Sequence, residues 1–60
     1  YKVYEITNIS EIMFPSKTAC AKYLKLHQMV PQTSVKYIIE KINYAIKNNQ
    51  SYNTLYFKAP

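Results

Sequence analysis

The clearest pattern of hydrophobic and polar positions in this chain is a helical one in its second half. When the residues after Ser34 are set at intervals of about 100°, the apolar ones fall within one arc of about 120°. These are Val35, Ile38, Ile39, Ile42, Ala45 and Ile46. The opposite side carries Lys36, Glu40, Asn43 and Lys47. A flank carries Tyr37, Lys41, Tyr44 and Asn48. We predict a helix that is capped by Thr33 or Ser34 and ends near residues 48–49.

A shorter helical pattern precedes it, from about Lys17 to Lys25. Ser16 is a suitable cap because its hydroxyl can accept a hydrogen bond from an amide one turn into the helix. We expect one broad side to face the core, with Ala19, Cys20, Tyr23, Leu24 and Leu26. The other side collects Thr18, Lys22 and Lys25. Residues 27–32, which include Pro31, are expected to connect the two helices.

Strand patterns lie at both ends of the chain. Residues 1–7 and 11–14 predict two short strands, and Asn8-Ile9-Ser10 between them predicts a turn, so this pair is expected to form a hairpin. Residues 54–58, after a polar turn at 50–53, predict a closing strand that pairs with the hairpin. The order is therefore β-β-α-α-β. A β-hairpin, two closely linked helices and a closing strand predict a small helix-turn-helix module of the α+β class.

The charge of the chain is one-sided. There are eight Lys, no Arg and three acids, which gives a net charge of +5. Six of the eight lysines lie between Lys17 and Lys47, in the helical half. This placement favours an anionic polymer, above all double-stranded DNA, as the partner. An ordinary solvated surface rich in lysine is the alternative.

The length of the chain bounds its function. Sixty residues make one domain, residues 1–60, with too small a core to enclose a deep substrate cleft. Neither a paired acid/base set nor a nucleophile–base set is present, so we expect no enzyme activity, no cofactor, no metal and no small-molecule substrate. Because the first residue is Tyr and not Met, we expect the chain to be a fragment of a larger protein.

The sequence also indicates the cellular compartment of the protein. A lone cysteine, Cys20, favours a reducing compartment. No apolar run reaches the roughly 18 residues that cross a bilayer, and no signal-peptide pattern is present. We therefore expect a cytoplasmic, DNA-associated protein with no membrane partner.

Three segments follow one another in a recognisable order: Phe14-x-Ser16-x-x-x-Cys20-Ala21-Lys22-Tyr23-Leu24, then Ser34-Val35-x-x-Ile38, then Leu55-Tyr56-Phe57. Together they resemble the nuclease-associated modular DNA-binding domains of the intron-encoded nuclease repeat type. Such modules stand beside the catalytic domains of homing endonucleases, and the resemblance covers most of the chain. It implies DNA contact by the second helix, no catalysis by the module itself, and a catalytic domain of the same parent chain as a further partner. A phage or mobile-element protein is the expected setting.

The predicted DNA-contacting residues lie on both helices. In helix-turn-helix proteins the N-terminal part of the second helix reaches base edges, which here selects Gln32, Thr33, Ser34, Lys36 and Tyr37. The flank with Lys41 and Tyr44 is favoured over the stripe with Glu40, because a carboxylate repels phosphates. On the first helix, phosphate contacts are expected from Lys17, Lys22 and Lys25. A capped helix with a merely solvated face is the alternative.

Seven tyrosines keep a second function open. An exposed patch of Tyr1, Tyr37, Tyr44 and Tyr52 would suit a protein partner or a second copy of the chain. The remaining candidates for the core boundary are Tyr4, Tyr23 and Tyr56. A protein-interaction or dimerisation module is thus the alternative to DNA binding.

Overall fold

The computed structural model describes residues 2–5 and 10–59, with side chains from residue 11 to residue 59. Five elements follow in chain order: strands Lys2–Glu5 (β1) and Ser10–Met13 (β2), helices Lys17–Leu26 (α1) and Val35–Asn48 (α2), and strand Leu55–Lys58 (β3). The predicted combination of two helices with short strands in one small chain is confirmed.

The strands pair through β1, which runs antiparallel to both β2 and β3. Val3 stands opposite Ile12 of β2 and Phe57 of β3. The second strand begins at Ser10, which had been assigned to the turn, and it ends at Met13. The other predicted strand and turn residues of this region, Tyr1, Ile6, Thr7, Asn8 and Ile9, lie outside the described residues.

Serine side chains cap both helices. The Ser16 hydroxyl accepts from the Ala19 amide at 3.1 Å, as predicted. Of the two caps proposed for α2, Ser34 is the one used, and its hydroxyl accepts from the Tyr37 amide at 3.4 Å. At the other end of α2, Asn49 adopts the left-handed conformation with φ 52°. Asparagine tolerates this conformation, so it ends the helix in a chain that has no glycine.

The core forms where α1 packs on α2 and α2 packs on β3. Its buried residues are Cys20, Ala21, Leu24, Val30, Ile38, Ile42, Ala45, Leu55 and Phe57. The rest of the predicted apolar stripe of α2 lies half-buried at the edge of this cluster, as do Phe14 and Tyr23. The ring centroids of Phe14 and Tyr23 are 5.1 Å apart in a tilted arrangement, so the residue that follows β2 is joined to α1 by an aromatic contact.

One predicted core position, Leu26, and one predicted boundary position, Tyr56, are wrong. Leu26 is 77% exposed, because it lies about 200° around α1 from the buried Leu24 and so faces away from the core. Tyr56 is exposed because it alternates along β3 with the buried Leu55 and Phe57. Tyr23 packs against the core as expected.

A tight turn at Asn53-Thr54 leads into β3. Tyr52 and Leu55 exchange backbone hydrogen bonds of 2.9 and 3.0 Å, which leaves only these two residues in the loop. Both have positive φ, 51° at Asn53 and 68° at Thr54, as a type I′ turn requires. Asparagine suits its position, whereas a β-branched residue is strained at the second one.

We therefore expect Thr54→Gly to stabilise the protein by about 0.5–1 kcal/mol, because removing the Cβ relieves the left-handed strain and outweighs the entropy that glycine adds to the unfolded chain. Chemical denaturation of both proteins measures this difference. The control is Thr18→Gly in the exposed face of α1, which should destabilise by roughly 0.5 kcal/mol. Equal destabilisation by both glycines would contradict the turn assignment.

Candidate nucleic-acid interface

The connection between the helices, residues 27–34, is tied to the turn before β3. The side-chain amide of Asn53 donates a hydrogen bond to the carbonyl of Met29. The hydroxyl of Tyr52 donates to Oε1 of Gln32. These two bonds hold the connection at two points, and they therefore fix where α2 begins relative to the rest of the fold.

An open groove of about 420 Å³ lies at the start of α2. It is lined by Pro31, Gln32, Thr33, Ser34 and Tyr37. Four of the five residues predicted to contact bases thus line a single surface. The fifth, Lys36, is exposed in the first turn of α2 but does not line this groove.

A second open groove, of about 580 Å³, lies between the end of α1 and the start of α2. Its lining residues are Lys22, Lys25, Leu26 and Val35. Leu26 and Val35 bring apolar side chains to it, and the two lysines bring positive charge. Since Val35 directly follows Ser34 in the chain, both grooves lie at the N-terminal end of α2.

Lys17 stands apart from the other two predicted phosphate contacts. It is half-buried at the start of α1 and lines neither of these grooves. Lys22 and Lys25 are both exposed, and Lys25 lies in the last turn of α1. The structure therefore places two of the three α1 lysines in a groove that also includes Val35, the first residue of α2.

The Tyr37, Lys41 and Tyr44 flank forms one surface of α2. The Lys41 ammonium lies 5.3 Å from the centroid of the Tyr37 ring, a cation–π distance between residues one turn apart. Tyr37 and Tyr44 are exposed, whereas Lys41 is half-buried. The stripe that includes Glu40 is also exposed. The choice of the flank over the stripe stays a prediction.

Tyr52 does not belong to an exposed tyrosine patch, so that part of the alternative is wrong. Its ring is half-buried with its centroid 6.2 Å from that of Phe57, and its hydroxyl is bonded to Gln32. Burial raises the pKa of Tyr52, and the nearby Tyr37 adds to the increase. Tyr1 lies outside the described residues. Among the described residues of the predicted patch, Tyr37 and Tyr44 are exposed.

Cys20 is a core residue. It is fully buried, and burial raises the pKa of its thiol to about 11. His27, one turn beyond Tyr23, packs its ring against that tyrosine with the centroids 4.2 Å apart. Among residues 2–5 and 10–59, no three His, Cys, Asp or Glu side chains are grouped to hold a metal ion.

The raised pKa of Cys20 predicts a loss of stability in alkaline solution. Below about pH 9 the thiol is protonated in both states, so it adds no pH dependence; between about 9 and 11 the unfolded thiol ionises while the buried one does not, and stability falls. Denaturation curves across this range measure the slope. Cys20→Ala lacks the thiol and is expected to lose less stability over the same interval. Identical slopes for the two proteins would contradict the prediction.

Comparisons with known proteins leave the family open. No family model, no curated protein and no solved structure matches the chain. The resemblance to nuclease-associated modules therefore stays a prediction. Within the part of the chain that is described, no helix is long and apolar enough to cross a membrane.

Sequence reasoning missed two features of this region. Leu26 was assigned to the core although its helical angle, about 200° from Leu24, already indicates exposure. The bond from Tyr52 to Gln32 joins residues 20 apart in the sequence, and no local pattern signals it. It depends on how the turn before β3 packs on the helix connection.

Proposed function

We propose that this chain is a small helix-turn-helix module of β-β-α-α-β order that binds double-stranded DNA, with the start of α2 in the major groove. It would act as an accessory that tethers or orients a nuclease or a related phage or mobile-element protein. The observation that carries the proposal is the pair of grooves at the N-terminal end of α2. One presents polar side chains suited to base edges, and the other presents two lysines.

The two grooves carry side chains that suit two different kinds of DNA contact. Gln32 offers a carboxamide, and Thr33 and Ser34 offer hydroxyls, which can bond base edges or phosphates. Lys22 and Lys25 suit backbone phosphates, which position a protein on the duplex without reading its sequence.

The local charge supports an anionic ligand. The first turn of each helix contains no acidic residue. The partial positive charge of the α2 N-terminus adds to the field of the lysines. A net charge of +5 on 60 residues acts in the same direction at longer range.

The proposal is tested by titrating the protein with a mixed library of short duplexes at low and at physiological salt. We expect binding at low salt that weakens as salt is added, because each phosphate contact contributes about 0.9 to the slope of log K against log salt. No detectable binding at low salt would refute the proposal.

A protein-interaction or dimerisation module is the second candidate, and the exposed side chains of Leu26, Tyr37 and Tyr44 favour it. Sedimentation separates the two functions. A dimer without affinity for DNA would support this candidate, and Lys36→Glu would then leave the association intact. A monomer that binds duplex DNA would exclude it as the main function.

A further inference from the structure

The Tyr52 hydroxyl fixes one end of a side chain in the proposed interface. It donates to Oε1 of Gln32, and this contact is partly buried. The ring of Tyr52 packs beside the buried Phe57, so the hydroxyl is held from the core side. Gln32 meanwhile lines the groove at the start of α2.

This contact changes what Gln32 can offer to a ligand. A glutamine carboxamide has one acceptor oxygen and an NH₂ group with two donors. The bond from Tyr52 takes one of the two lone pairs of the oxygen and holds the oxygen towards Tyr52, so the NH₂ group is the part left to bond a ligand in the groove. Gln32 therefore acts as a hydrogen-bond donor.

Adenine and guanine require different hydrogen-bonding groups from a side chain in the major groove. In the major groove adenine presents the N7 acceptor beside the N6 donor, so a bidentate glutamine contact needs both the oxygen and the NH₂. Guanine presents two acceptors, N7 and O6, which donors alone can satisfy.

We propose that Tyr52 is a positioning residue that makes Gln32 select guanine over adenine at the base pair it contacts. The inference rests on the proposed function, because it assigns a base preference to the same interface. Tyr52 acts through Gln32 and need not touch the DNA. Its contribution is to hold the acceptor that adenine requires against its own hydroxyl.

The test is a binding selection from randomised duplexes, followed by affinity measurements on the selected site with guanine or adenine at each position. For the wild-type protein we expect one position at which guanine is preferred by about fivefold or more. Tyr52→Phe frees Oε1, so the carboxamide can turn and serve adenine, and the preference should fall towards one. Tyr56→Phe, which removes a hydroxyl from an exposed tyrosine of β3, is the matched control and should keep the wild-type preference.

A second variant covers the case in which Tyr52→Phe does not fold, as judged by circular dichroism. Gln32→Met keeps the length of the side chain but has neither donor nor acceptor of comparable strength, and it should also lose the guanine preference. Unchanged preference in either folded variant, or a wild-type preference for adenine, would overturn the inference while leaving DNA binding established. Absence of binding to every duplex would instead refute the proposed function, and the inference with it.

Discussion

Leu24→Ala is expected to lower the free energy of unfolding by about 2–5 kcal/mol. Leu24 is fully buried in the α1 face that packs on α2, so truncation removes apolar contacts and leaves a cavity. A single core of this size supplies only about 3–5 kcal/mol of net stability. The loss is comparable to the whole stability, so the variant should lose most of its stability at 25 °C, which thermal and chemical denaturation followed by circular dichroism will show.

The matched control is Leu26→Ala. It deletes the same atoms from the same helix two residues away, but Leu26 is 77% exposed. Its effect should stay within about 0.5 kcal/mol. Comparable losses in the two variants would mean that α1 packs through a different face.

Lys22→Glu combined with Lys25→Glu is expected to weaken duplex binding by at least about tenfold and to lower the salt slope by about 1.8. Both lysines line the groove beside the start of α2, so the variant removes two proposed phosphate contacts and adds repulsion. Fluorescence anisotropy titrations at several salt concentrations measure both quantities.

The control variant has the same net charge as this double variant, but its two substitutions lie elsewhere on the protein. Lys47→Glu combined with Lys58→Glu changes exposed residues at the last turn of α2 and in β3. Lys47 is about 18 Å along the helix from Val35. This control should lose less affinity and keep most of the salt slope. Equal losses would show that net charge, and not the surface at the start of α2, governs binding.

The helices of this fold could be predicted from the sequence because each depends on residues that are close together in the chain. Ser16 and Ser34 cap helices through bonds to amides three residues on. The apolar spacing after Ser34 produces the buried Ile38 and Ile42. Such signals span one turn of helix, so a single sequence contains them.

The arrangement of the site could not be predicted from the sequence, because the contacts that position it join residues that are far apart in the chain. Gln32 was identified as a candidate contact, but its partner Tyr52 and the bond from Asn53 to Met29 come from the turn before β3. Tyr52 was instead expected on the surface. The prediction for Leu26 is wrong for a local reason: it stands about 200° around α1 from the buried leucine of that helix and so faces solvent.

The central claim, that the start of α2 is the DNA-binding surface, is tested most directly by titrating isotope-labelled protein with a short duplex and following its backbone amide resonances at low salt. We predict the largest shifts in residues 22–26 and 32–37, which include residues that line the two grooves, with smaller changes in β3. Large shifts confined to the strands, or no shifts at a molar excess of duplex, would contradict it.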